Sequence, residues 1–266
     1  MRYYIADLHF FHENMNTKMD CRGFNSIEDM HTFIIKSWNE KVRKNDEVII
    51  LGDVSWGKAL ETNEILEKLN GKLYLVQGNH ERYLASKEFN RKRFEWIKPY
   101  AEVQDNGRKV VLSHYPIMCY NSQYRLDKEG NPKSYMLYGH VHDTLDQRLM
   151  ETFQEITRHT RKKSINGECD TIPCNMINCF CRYSDYTPLT LDEWIECDAN
   201  RKYFLYDKEM RDRIEQAILE AEQELAEGGE LFDAEEVFAS LREKDVVHIG
   251  DLMIPVAFRC SPEYRG

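Results

Sequence analysis

Residues with the chemistry of metal ligands recur at five places in the first 142 positions. Asp7-Leu8-His9, Gly52-Asp53, Gly78-Asn79-His80-Glu81, Ser113-His114 and Gly139-His140-Val141-His142 each hold carboxylate, amide or imidazole groups. Asp7, His9, Asp53, Asn79, His114, His140 and His142 together offer seven oxygen or nitrogen donors. Seven are too many for one tetrahedral ion and suit two ions that share a carboxylate. A set that mixes carboxylate, amide and imidazole favours Mn, Fe, Zn, Ni or Co over calcium or a thiolate-bound metal. The glycines at 52, 78 and 139 permit close turns directly before the ligands.

The donors meet only if the chain brings the five places together, and the residues before them say how. Tyr3 to Ala6, Val48 to Leu51, Leu73 to Val76, Val110 to Leu112 and Tyr135 to Tyr138 are short apolar runs, each ending at one cluster. Such runs, bounded by turn residues, predict buried strands. Between them lie helical patterns. Ser26 is placed to cap a helix with Asp29 three residues on and Met30, Phe33, Ile34 and Trp38 as its stripe. Thr62 is placed to cap a second, with Ile65, Leu66 and Leu69 on one face and Asn70-Gly71 as its stop. Alternating strands and helices predict an α/β layered fold, in which ligands collect at the C-terminal ends of strands. The rhythm lapses from about Asp143 to Thr171, where Arg158 to Lys163 is a basic run that reads as a solvated helix end or loop. Ile172 to Tyr183 reads as strand again, and Thr190 to Trp194 as the start of a last element.

The ordered series Asp7-x-His9, Gly52-Asp53, Gly78-Asn79-His80-Glu81, His114 and Gly139-His140-x-His142 resembles the calcineurin-like metallophosphoesterases over roughly residues 1–197. Tyr186 to Thr190 resembles the segment that closes such domains in some bacterial members. The resemblance implies two packed mixed β-sheets flanked by helices, with a dinuclear site at the strand ends. It implies that Asp7, His9, Asp53 and His142 hold one metal and Asp53, Asn79, His114 and His140 the other, so that Asp53 bridges. A hydroxide between the metals would then attack phosphorus, with manganese the favoured ion for activity. His80 resembles the family histidine that contacts phosphate and protonates the leaving oxygen. The family usually has Asp after that histidine. Here it is Glu81, a longer carboxylate in the position that orients His80.

Five of the nine histidines fall in this one series. His12, three residues after His9, is a further candidate to face the substrate, while His31, His159 and His248 read as surface residues. Arg22, Arg82 and Arg125 are candidates for binding a substrate phosphate, against the default of solvated surface arginines. Val54-Ser55-Trp56-Gly57 lacks the Asp-Arg-Gly continuation of the Ser/Thr protein phosphatases, which disfavours that subgroup. The expected substrate is a small phosphomonoester or phosphodiester, nucleotides included. The competing reading is a non-catalytic scaffold of the same fold whose C-terminal helices bind a protein partner.

The chain of 266 residues divides by composition into an enzyme-like portion, 1–198, and an acidic, mainly helical portion, 199–266. The formal net charge of −10 is −7 in the second portion and −3 in the first. Two divalent ions would bring the first to about +1, so the acidity does not oppose an anionic substrate there. It disfavours binding of bulk nucleic acid. In the tail, Arg211 to Glu227 and Ala234 to Lys244 read as amphipathic helices separated at Gly228-Gly229, and Val246 to Ile249 as a strand. Ile214 to Lys244 weakly resembles the C-terminal part of small antitoxin proteins, which implies a protein partner or self-association, against the default of a structural helical subdomain packing on the enzyme. No run approaches 18 apolar residues, the first seven residues lack a signal-peptide core, and the eight cysteines read as reduced thiols, all of which predicts a cytoplasmic protein without membrane attachment. Cys169, Cys174, Cys179 and Cys181 lie within thirteen residues but lack the paired spacing of a zinc knuckle and read as small buried side chains.

Overall fold

Alternation along the strands sorts their side chains into two cores, and these set the layers. In a computed structural model, which describes residues 1–163, 169–202, 246–249 and 252–255, strand β1 (Arg2–Ile5) is followed by α1 (Ile27–Lys41), β2 (Glu47–Ile50), α2 (Ala59–Lys68), β3 (Lys72–Val76) and β4 (Phe94–Lys98). The strands form one parallel sheet in the order β1-β2-β3-β4. One face carries Tyr3, Ile5, Val48, Ile50, Leu73 and Leu75 into a core with Met30, Ile34 and Trp38 of α1 and Ile65 and Leu66 of α2. The other turns Tyr4, Ala6, Ile49 and Leu51 against a second sheet.

That second sheet comprises β5 (Tyr100–Asp105), β6 (Arg108–Ser113), β7 (Ser134–Tyr138) and β10 (Met176–Asn178), in the order β10-β7-β6-β5. Only β5 runs antiparallel, as a hairpin with β6. Val110, Leu112, Leu137 and Ile177 face the first sheet, while Val111, Met136, Tyr138 and Met176 face outward toward Met150 and Phe153 of α3 (Leu145–His159). The short pair β8 (Arg161–Lys163) and β9 (Cys169–Thr171) follows α3, and residues 191–202 are helical, with Trp194 buried between the sheets. The chain divides into two units, Met1–Lys202 and Tyr203–Gly266. Within the second, β11 (Val246–Ile249) pairs antiparallel with β12 (Leu252–Pro255). The helices expected over 211–227 and 234–244 lie outside the described residues. Among the described residues no helix is long and apolar enough to cross a membrane.

Ser26 caps α1 as expected, accepting from the Asp29 N–H at 3.0 Å. Thr62 does not cap α2. The helix starts one turn earlier, with the Glu61 carboxylate accepting from the Lys58 N–H at 2.7 Å, and Thr62 is buried with its hydroxyl 2.8 Å from Ser55 Oγ. The lapse after Asp143 contains α3, whose fully buried positions are Gln147 and Gln154, so no dense apolar stripe announces it. Its C-terminal end starts the basic run, where Arg158 donates to the Cys174 carbonyl and Arg161–Lys163 turns into strand. Of the strand expected over 172–183 only Met176–Asn178 forms. Strands β4 and β5 lead to no ligand cluster and escaped the rhythm. His31 is buried rather than on the surface, its Nε2 accepting from the Phe11 N–H at 2.8 Å.

Candidate metal centre

Parallel register brings the ends of the strands level. Ile5 pairs with Ile50 and Ile50 with Leu75, so Asp7, Asp53 and Asn79 emerge side by side from β1, β2 and β3. Leu112 pairs with Leu137, so His114 and His140 emerge together from β6 and β7. Hydrogen bonds then tie the two sheets at this edge. The His140 N–H donates to both Asp7 carboxylate oxygens, at 3.0 and 3.1 Å. His114 Nδ1 lies 2.8 Å from the Leu51 carbonyl. The approach is close enough that a Cβ on Gly52 would lie 2.3 Å from His114 Nδ1, and one on Gly78 would lie 2.4 Å from Asp53 Oδ1. Gly52 also has φ +87, so both space and conformation require glycine there.

The candidate ligands resolve into two neighbouring groups. Asp7, His9 and His142 present donor atoms all within 4.8 Å of one another, and Asp53, His114 and His140 do the same. Asn79 joins the second group, its Oδ1 2.9 Å from His114 Nε2 and 3.0 Å from His140 Nδ1. Asp53 Oδ2 lies 3.5 Å from His9 Nε2 and 3.5 Å from His114 Nε2, between the two groups. Five of these seven residues, Asp7, His9, Asp53, His140 and His142, have positive φ between 47° and 70°. Left-handed backbone at non-glycine residues stores about 1–3 kcal/mol each and persists where the surroundings over-determine it.

The donor set fits divalent cations. An acceptor at Nδ1 fixes the tautomer of two of the histidines: the Leu51 carbonyl takes the Nδ1 proton of His114, and Asp20 Oδ1, at 2.7 Å, takes that of His142. Each then offers its Nε2 lone pair toward the centre, which is how metal-binding imidazoles are held. His9 Nε2 and His142 Nε2 face each other at 3.1 Å, and His9 Nδ1 is buried without a partner. Burial, followed by the charges of His142 and Arg22, holds the His9 pKa well below its ordinary value. Without cations, burial and then the charges of Asp7 and Glu81 push Asp53 up to about 8. Buried carboxylates and imidazoles converging in this way suit positive charge brought from outside the chain.

His80 stands apart. Its N–H donates to Asp53 Oδ1 at 3.0 Å, its Nε2 lies 3.8 Å from Asp53 Oδ2, and its side chain is 26% exposed where most of the ligand carboxylates and imidazoles are buried. Burial, then the neighbouring histidines 12 and 114 and Arg82, lower its pKa. Glu81 does not orient its ring. Glu81 Oε1 accepts from the Val54 N–H at 3.0 Å, bracing the backbone after Asp53, and His80 Nδ1 is buried with no partner.

His12 borders the site, its ring centroid 5.6 Å from that of His9 and its Nδ1 accepting from the Met15 N–H. Arg82 is exposed beside His80, and Arg125 lies on the exposed loop before β7. Arg22 is turned inward and has no face for a substrate. Its fully buried guanidinium donates to the carbonyls of Leu8 (2.7 Å) and Asp7 (2.9 Å) and to Asp20 Oδ2 (3.0 and 2.9 Å). Arg22 thus braces both the Asp7 turn and the carboxylate that holds His142. The buried Cys174, Cys179 and Cys181 join none of the candidate metal groups among the described residues. Asp20 and Trp56 were not legible as site residues. Asp20 reaches His142 across 122 positions of sequence, and Trp56 stands out only as an aromatic three residues after Asp53.

Comparison with known proteins agrees with this geometry. Residues 24–152 match the calcineurin-like phosphoesterase superfamily domain. An uncharacterised protein of Methanocaldococcus jannaschii is 31% identical over 192 residues, covering 71% of this chain and 86% of its own. The chain belongs to the calcineurin-like phosphoesterase superfamily. The gene 66 protein of Mycobacterium phage D29 is 28% identical over 175 residues, covering 58% of this chain and 84% of its own. A solved protein of unknown function from Aquifex aeolicus is 24% identical, with a TM-score of 0.49, over 73% of this chain and 96% of that one. This superfamily member thus carries His and Asp groups suited to divalent metal ions at the joined ends of its two sheets.

Proposed function

We propose that the protein hydrolyses a small phosphomonoester or phosphodiester with two divalent transition-metal ions, manganese favoured, one held by Asp7, His9, Asp53 and His142 and the other by Asp53, Asn79, His114 and His140. The observation that carries this reading is the position of Asp53 Oδ2, 3.5 Å from a histidine of each group. When bound, the ions supply the charge neutralisation and water activation that phosphoester hydrolysis needs.

The chain's own residues supply the rest. The Leu51 carbonyl and Asp20 hold His114 and His142 in the ligating tautomer, so binding requires no rearrangement of either ring. His80 is partly exposed beside Asp53 and placed to reach a phosphate oxygen or the departing alkoxide. Burial and the neighbouring positive groups disfavour its protonated form, and a phosphate anion alongside favours the protonated form that a general acid requires. Glu81 keeps the Asp53–Val54 backbone in place beneath it.

Metal analysis and turnover test the reading together. The purified chain should take up two equivalents of Mn²⁺ and then hydrolyse members of a panel of phosphomonoesters, diesters and nucleotides. Absence of both uptake and turnover would refute it.

A further inference from the structure

Trp56 is 41% exposed, and the rings and the charged group around it belong to the site. Its centroid lies 4.8 Å from that of His80 and 4.4 Å from that of His12, and the Arg82 guanidinium carbon sits 5.0 Å over it. A lone exposed aromatic on a mobile loop would mean little. This one is fixed. The Trp56 N–H donates to the Phe10 carbonyl at 2.8 Å within a parallel bridge between Phe10 and Ser55. Ser55 is buried, its Oγ accepting from the Gly57 N–H at 3.0 Å and contacting Thr62 Oγ1 at 2.8 Å. Gly57 packs on Phe11 so closely that a Cβ there would lie 2.6 Å from Phe11 Cδ2. The turn that delivers Asp53 therefore also carries a large, partly exposed π surface beside His80, on backbone that is already ordered when a ligand arrives.

We propose that Trp56, with Arg82, is the platform for the alcohol part of the substrate, and that the preferred substrates are phosphoesters whose alcohol carries a planar aromatic ring, a nucleobase or an aryl group. The inference rests on the assignment of His80 to the leaving-group side. His80 contacts the Trp56 ring, so the group departing from phosphorus emerges next to that ring. A planar π system stacks on tryptophan irrespective of its identity, and a guanidinium both covers such a ring and pairs with phosphate oxygens. A ligand ring that takes the place of the guanidinium on this face frees Arg82 for the phosphate oxygens, a gain an aliphatic alcohol lacks.

The experiment compares full-length, Mn²⁺-loaded wild type, Trp56→Phe and Trp56→Leu by kcat/KM on adenosine monophosphate, phenyl phosphate and glycerol phosphate. Wild type should prefer the aromatic esters. In Trp56→Leu the ratio of aromatic to glycerol ester should fall about tenfold, the loss of one stacked ring, and Trp56→Phe should keep it within about twofold. Whether adenosine monophosphate or phenyl phosphate shows the larger fall tells a base from a directly attached aryl group. An unchanged ratio in Trp56→Leu, or no aromatic preference in wild type, overturns the platform while leaving phosphoester hydrolysis intact. Calorimetric affinity for adenosine monophosphate relative to inorganic phosphate provides an independent arm. It should fall in Trp56→Leu even if none of the three esters is turned over, an outcome that would instead count against the hydrolase reading. A relative affinity that does not move refutes the platform.

Discussion

Replacing Asp20 by Asn tests whether the chain outside the donor set tunes the metal centre. Asp20 Oδ1 is 2.7 Å from His142 Nδ1, and Oδ2 is bound to Arg22 at 2.9 and 3.0 Å. Burial would raise the Asp20 pKa, but the His142 hydrogen bond and the charges of His142 and Arg22 outweigh it, and the carboxyl titrates below its ordinary value. Asn keeps the shape and one acceptor but removes the charge that makes His142 a stronger donor and that balances the buried Arg22. Losing a carboxylate behind a ligating histidine weakens metal binding about 10- to 100-fold, or about 1.4–2.7 kcal/mol. The loss should fall on one ion, because Asp20 touches His142 and no residue of the Asp53, His114 and His140 group. Calorimetric titration of the metal-free protein with Mn²⁺ should therefore show two strong equivalents in wild type and one strong, one weakened equivalent in Asp20→Asn. The melting temperature should also fall, since Arg22 stays buried with its counter-charge gone. Two wild-type equivalents in Asp20→Asn would refute the reasoning, and weakening of both would show that the two groups are not separable.

His80→Ala should retain both metal equivalents and lose about 10²- to 10⁴-fold in turnover; loss of one equivalent would make His80 a ligand instead. In the metal-free protein Asp53 keeps its proton up to about pH 8, while the unfolded chain releases it near the ordinary carboxylate value of about 4. Stability must then fall as pH rises through this range, and the last of the fall, from about pH 7 to 9, lies above the titration of unfolded histidines. Melting temperatures should drop over that window in metal-free wild type and drop less in Asp53→Asn, where the raised pKa of His142 still contributes; a level metal-free wild type would disprove the burial argument. Gly52→Ala should destabilise the fold by ~2 kcal/mol or more, because its Cβ would meet His114 Nδ1 at φ +87, and a melting temperature equal to wild type would contradict the close approach described here.

The candidate ligands and the strands that carry them were legible from the order of residues alone. Asp7, Asp53, Asn79, His114, His140 and His142 each follow an apolar run, and the α/β rhythm tells that such runs lie side by side with their C-terminal ends together. It left β4, β5 and α3 unread, since β4 and β5 end at no cluster and α3 buries glutamines where a stripe of leucines would have been legible. The surroundings of the candidate ligands emerged from the folded chain instead. Arg22 and Arg82 are the same residue type in similarly polar loops, yet one is buried against the carbonyls of Asp7 and Leu8 and the other lies over Trp56. Glu81 follows His80 directly but turns away to the Val54 N–H, while Asp20, 122 residues from His142, is the carboxylate that holds a candidate ligand. The periodicity of a strand fixes which residues reach its end, because it is a local property of the backbone. The destination of a long polar side chain depends on contacts between distant loops, which no local pattern encodes.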